Sequence, residues 1–138
     1  MSGIHPTFDL FVYGSLRAGH SANSMLRDCE QIGEAVVNGI LYDIDAQFTA
    51  VILYGDAPVA GEIWRCPSSL LSTLDQYEGV ANGLFRRVGT VARMPDGSGA
   101  PCWVYAAGPA LSRKLIPENR IDSLRAEPRR SSPDQQET

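Results

Sequence analysis

The run FDLFVYGSLR at residues 8–17 is apolar on both strand faces, with Phe8, Leu10 and Val12 on one side and Phe11 and Tyr13 on the other. Successive side chains of a strand point to opposite faces, so this pattern predicts a central strand covered on both sides. The run stops at Gly14-Ser15 and gives way to the polar stretch RAGHSANS. A short helix is predicted over 23–32, with Met25, Leu26, Cys29 and Ile32 as its inner stripe. Strands are predicted over 35–44, 49–53 and 59–65, separated by polar or Gly/Pro breaks. The best-defined helix is CPSSLLSTLDQYEG. Pro67 suits its first turn, Ser68 or Ser69 can supply oxygens there, and Gly79 suits a left-handed end. Residues 84–94 and 101–107 read as two strands joined by the turn PDGSG, a hairpin.

Strands dominate and two helices are inserted, without regular strand–helix alternation. The expected fold is α+β: a small, mainly antiparallel or mixed β-barrel with flanking helices. The chain has 138 residues, enough for one domain with its own core. That domain is expected over residues 1–127. The remainder, 128–138, reads PRRSSPDQQET with no apolar residue and is expected to be a disordered tail.

Net charge is −4, which argues against nucleic acid as a partner, because such binders neutralise phosphates with a basic face. No apolar run approaches the roughly 18 residues needed to span a bilayer. Residues 1–7 lack a basic start followed by an apolar stretch. The expectation is a cytoplasmic protein without a membrane partner. Cys29, Cys66 and Cys102 are odd in number and widely spaced, and His5 and His20 are the only histidines. Neither a disulfide framework nor a metal site is expected from this set, and Cys66 and Cys102 are expected to pack in strands.

Two features carry candidate chemistry. Leu70, Leu74 and Glu78 are spaced by four, which stacks the glutamate on the leucine stripe of its helix. It also falls in the last turn, where the helix dipole disfavours a carboxylate. Both effects raise a carboxyl pKa and suit it to general acid–base work. The plainer alternative is that Asp75 and Glu78 flank Tyr77 at the surface. The second feature is the Gly14-Ser15 corner, which matches neither a Walker loop nor a G-x-G-x-x-G fingerprint, and Ser15 lacks a G-x-S-x-G elbow. A sharp turn after a central strand aims successive N–H groups into one space, a nest suited to a small carboxylate. Chain punctuation is the competing explanation.

Together the segments FVYGSLRAG, GILYDI, VAGEIW, LSTLDQYEGV, LFRRVGTV and CWVYAAG, in this order, resemble the gamma-glutamylcyclotransferase-like family, which includes gamma-glutamylamine cyclotransferases and AIG2-like proteins. Y-G-S-L and L-D-x-Y-E-G are the most specific elements. The resemblance implies a small β-barrel with a cavity in which the Tyr13-Gly14-Ser15-Leu16 loop faces Glu78. It implies a reaction in which the α-amine of a γ-glutamyl group attacks its own side-chain carbonyl, releasing 5-oxoproline and an amine without metal or cofactor. Glu78 would be the catalytic acid and base, the 14–16 backbone would hold the substrate carboxylate, and Tyr13 and Tyr105 would line the pocket or serve as core tyrosines. Arg86, after Phe85, matches a family arginine, while Arg17 and Arg87 lie nearby; an ion pair within the fold is the expected role there. Glu62 in GEIW is also family-like, with an outward orientation open to it. The chain departs from the family where AQFTAV replaces G-Y-P-A-L and where IPENRIDSL replaces a G-D-W-like segment. A non-catalytic module binding a small carboxylate is the alternative function. A transferase acting on a larger γ-glutamyl-protected substrate is the third.

Overall fold

The computed structural model describes residues 6–44 and 48–121. The first strand, β1 (Thr7–Val12), is central: it pairs antiparallel with β5 (Pro58–Pro67) and parallel with β7 (Gly99–Ala107). β2 (Glu30–Asn38) and β6 (Phe85–Arg93) complete a closed barrel in the order β1-β5-β2-β6-β7. A second sheet, ordered β4-β3-β8, is built from β3 (Ile40–Ile44), β4 (Phe48–Ile52) and β8 (Arg120–Ile121). Helix α1 (Leu71–Tyr77) follows β5 through a single 3-10 turn, and the short α2 (Pro109–Ser112) follows β7. The architecture is the expected α+β barrel with flanking helices.

The alternation in β1 sorts its side chains into two cores as its pattern requires. Phe11 and Tyr13 join a cluster that draws on all five barrel strands, including Val37, Ile63, Ala92 and Val104, together with Leu41 and Val51 of the second sheet. Phe8, Leu10 and Val12 pack on the opposite face against Leu26, Trp64, Leu74, Phe85, Tyr105 and Leu111. This second cluster holds α1 to the barrel through Leu74, which is fully buried.

Two segments depart from the sequence reading. The helix predicted over 23–32 is only a four-residue 3-10 turn, Asn23–Leu26, after which the chain enters β2 with Glu30 opposite Arg65. Ile32 lies at a bulge between Gln31 and Gly33 and is exposed, so the helical spacing there joined a turn to a strand. The strand predicted over 35–44 is two strands broken at Gly39, where the chain passes from the barrel to the second sheet. A Cβ at Gly39 would lie 2.8 Å from the carbonyl oxygen of Ile52, and the Gly39 N–H donates to Ala57 O. The predicted hairpin forms as expected, with β6 and β7 in continuous register from Phe85↔Ala107 to Arg93↔Gly99. Cys66 and Cys102 pack in β5 and β7, and all three cysteines are free thiols. The tail at 128–138 lies outside the described residues.

Gly61 is the tightest point of the barrel wall. A Cβ there would fall 2.3 Å from Val12 O and 2.6 Å from the Phe11 ring, contacts that neither a backbone carbonyl nor a core aromatic can yield without moving β1. Gly61→Ala is therefore expected to destabilise the fold by about 3 kcal/mol, seen as a lowered urea midpoint. A midpoint equal to the wild type would show that β1 and β5 do not meet this closely.

Candidate active site

Because β1 and β7 run parallel, with Leu10 opposite Trp103 and Phe11 opposite Val104, their C-terminal ends emerge side by side. The loop that follows β1 thus leaves the barrel next to Tyr105. It borders a cavity of about 570 Å³ whose walls include Tyr13, Gly14, Ser15, Leu16, Arg17, His20, Phe48, Thr49, Tyr77, Glu78, Phe85 and Tyr105. That volume is in the range of small-molecule sites. All six residues singled out from the sequence, Tyr13, Gly14, Ser15, Leu16, Glu78 and Tyr105, meet at this one cavity.

The loop's hydrogen bonds explain its shape. Gly14 O accepts from the Arg17 backbone N–H at 3.0 Å and from Arg17 Nε at 3.1 Å. Ser15 O accepts from the Ala22 N–H at 2.9 Å, and Leu16 O accepts from Asn23 Nδ2 at 2.7 Å. All three carbonyls are thus engaged within the loop. Among the described residues, the N–H groups of Ser15 and Leu16 find no acceptor. Donors left over on a turn whose acceptors are spent make an anion-binding concavity. Glu62 secures the far side of the loop: its Oε1 accepts from the Ala18 N–H at 2.9 Å and from Trp64 Nε1 at 3.0 Å. Glu62 is not among the residues lining this cavity, so the outward placement left open to it holds, and from there it anchors the loop.

Glu78 caps the C-terminal end of α1, just before Gly79, whose φ of +68° turns the chain out of the helix. Its helical spacing from Leu74 sets it, half-buried, in the cavity wall, and the loss of water there pushes its carboxyl up to about 7 from the ordinary 4.5. The surface alternative for Glu78 does not describe its position. A carboxyl poised near neutrality can both accept and return a proton.

The two tyrosines have separate tasks. Tyr13 Oη donates to Tyr105 O at 2.6 Å and accepts from the Val51 N–H at 3.1 Å, so its hydroxyl is committed to the fold and its ring faces the cavity. Burial drives its phenol pKa upward. Tyr105 Oη donates to Asp75 Oδ1 at 2.7 Å. Asp75 is in turn gripped by both arms of Arg87, at 2.9 and 3.1 Å, and the guanidinium lies 4.5 Å over the Trp103 ring. The hydrogen bonds from Arg87 hold the Asp75 carboxyl below its usual range. The engaged arginine is Arg87; Arg86, the residue matched on sequence, is exposed, because alternation along β6 turns it to the other face.

Thr49 was not visible as a site residue in the sequence. Its Oγ1 is buried on the cavity wall without a hydrogen-bond partner among the described residues, 3.2 Å from where a Cβ of Gly14 would be. No pattern around it signals this, because the proximity arises only when β4 folds against the 14–16 loop. Ser15 Oγ lies 3.4 Å from Tyr77 Oη, closing the other side. Residues 46 and 47 of the divergent AQFTAV stretch lie outside the described residues. Of IPENRIDSL, Arg120 and Ile121 form β8 against β3 and do not line the cavity. Among the described residues, no three His, Cys, Asp or Glu side chains are grouped as metal ligands. Among the described residues, no helix is long and apolar enough to cross a membrane.

The family model described as gamma-glutamyl cyclotransferase, AIG2-like, matches residues 10–123. None of the curated proteins matches the chain. Among solved structures, an AIG2-like protein from Mus musculus is similar with a TM-score of 0.72 at 21% identity, covering 91% of this chain and 92% of that one. A uropathogenic E. coli-specific protein gives 0.65 at 22% identity, over 86% and 91% of the two chains. A gamma-glutamyl cyclotransferase gives 0.62 at 18% identity, over 74% and 67%. At these identities the structural likeness is one of fold, while the family match spans well over half of the chain. The protein belongs to the AIG2-like gamma-glutamyl cyclotransferase family.

Proposed function

We propose that the protein is a cyclotransferase that releases 5-oxoproline and an amine from a small γ-glutamyl substrate. The observation that carries this reading is the pairing, at one cavity, of acceptor-free N–H donors at Ser15 and Leu16 with a half-buried carboxyl at Glu78. In this mechanism the loop amides hold the substrate's α-carboxylate and fold the γ-glutamyl arm back on itself. The α-nitrogen then attacks the side-chain carbonyl carbon, forming the lactam C–N bond as the bond to the leaving amine breaks. Glu78, ionised, takes the proton from the attacking nitrogen and returns it to the leaving one. Nucleophile and electrophile belong to one molecule, so holding the compact conformer supplies much of the rate.

A γ-glutamyl dipeptide and amine panel, assayed for 5-oxoproline, tests the reading. Glu78→Gln is expected to lower turnover by about 10²–10⁴-fold, the range for loss of a positioned acid–base group. Normal turnover by that variant would remove Glu78 from the mechanism. Ligand binding by the wild type without product across the panel would favour a carboxylate-binding module.

The same substitution has a stability signature. Burial raises Glu78 from 4.5 to about 7, so the folded state prefers the protonated form. The stabilisation from that preference is complete below pH 4.5 and is lost as pH rises through 7. Glu78→Gln, neutral throughout, should match the wild type at pH 4 and exceed it by up to about 3 kcal/mol at pH 8 in urea unfolding. Equal stability at both pH values would mean that Glu78 is solvated in the folded protein.

A further inference from the structure

Helix α1 has seven residues and no side-chain cap at either end, so it depends on the barrel for its position. Its apolar tie is Leu74. Its charged tie is Asp75, three residues before Glu78 and therefore within one turn of it. The groups that meet Asp75 come from one cross-strand pair, Arg87↔Tyr105, on β6 and β7. Trp103, two residues before Tyr105 on the same strand face, lies opposite Gly89, which leaves the indole open to the guanidinium. The hairpin thus presents a charged fork, a phenol and an aromatic platform to a single carboxylate.

We propose that Asp75, Arg87 and Tyr105 form a positioning unit for Glu78, an ion pair that fixes the rotation of α1 while cancelling its own electric field at the Glu78 carboxyl. Other groups share the surroundings of Glu78: Tyr13 just after β1, Tyr105 from β7, Arg17 and His20 from the loop, and Tyr77 from its own helix. Tyr105 feels the charges of Asp75, Arg87 and Glu78 alike, so the pair and the glutamate are in electrostatic reach of one phenol. The rise at Glu78 nevertheless traces to burial alone. Asp75 and Arg87 are bonded to each other through two hydrogen bonds, with the guanidinium over the Trp103 ring, so together they present the weaker field of a dipole and not that of a lone charge.

The inference rests on reading Glu78 as the acid–base group, but its test observes the carboxyl without turnover. The full chain, labelled with ¹³C at glutamate carboxyls, is titrated as wild type, Asp75→Asn, Arg87→Gln and the double variant. Asp75→Asn leaves Arg87 unopposed, and the Glu78 acid constant is expected to rise about tenfold. Arg87→Gln leaves Asp75 unopposed, and the constant is expected to fall about tenfold. The double variant is expected to return close to the wild type. Shifts in the same direction, or none, overturn the proposal, because a merely structural tie would loosen and hydrate Glu78 equally in both. If a single variant does not fold, Arg87→Lys keeps the charge and loses the fork. Amide exchange in α1 should then accelerate about tenfold with the Glu78 constant unchanged, and unaltered exchange overturns the proposal. A wild type that yields no 5-oxoproline defeats the cyclotransferase reading and leaves these titrations to decide the clamp.

Discussion

The parallel pairing of β1 with β7 is the constraint from which the site follows. It is the one parallel contact among the described barrel strands, and it brings two C-terminal strand ends to the same rim. The Gly14–Leu16 turn leaves from one end and Tyr105 stands on the other, linked by the hydrogen bond from Tyr13 Oη to Tyr105 O. An antiparallel neighbour would have sent the turn and Tyr105 to opposite ends of the barrel. Closure of the wall at Gly61, where β1 and β5 nearly touch, holds this pairing in place.

Onto that frame the chain adds an electrostatic arrangement in two parts. The loop spends its carbonyls on its own backbone and side chains, while among the described residues the Ser15 and Leu16 N–H groups, on the cavity's border, find no acceptor. Across the cavity, a helix stripe carries a carboxyl out of water, where burial holds it near neutrality. The stronger charges close by, Asp75 and Arg87, are bonded to each other. A substrate carboxylate would therefore meet donors on one side and a group able to exchange a proton on the other. This division of labour fits intramolecular cyclisation, which needs a bent conformer and one proton moved, and little else.

Much of this was legible in the sequence because it is local. The two-faced apolar pattern of residues 8–13 announced a central strand, and the four-residue spacing of Leu70, Leu74 and Glu78 placed the glutamate on a buried stripe. Elements defined by distant partners were not legible. Residues 23–32 keep a helical spacing, yet their second half is claimed by pairing with β5. Gly39 breaks a strand because Ile52 passes against it, a contact no local pattern encodes. Asp75 read as a surface residue since its partners, Arg87 and Tyr105, are 12 and 30 positions away. The choice of Arg87 over Arg86 was set by the face of β6 that meets α1. Thr49 became a cavity residue only through the approach of β4 to Gly14.

In the proposed reaction a small γ-glutamyl carboxylate would lie between the 14–16 backbone and Glu78. A crystal structure of the Glu78→Gln variant with a γ-glutamyl amine, or of the wild type with 5-oxoproline, observes this directly. The account predicts the ligand carboxylate on the Ser15 and Leu16 N–H groups and the ligand's α-nitrogen within hydrogen-bond reach of side chain 78. A ligand carboxylate bound elsewhere, or an α-nitrogen turned away from side chain 78, would contradict it.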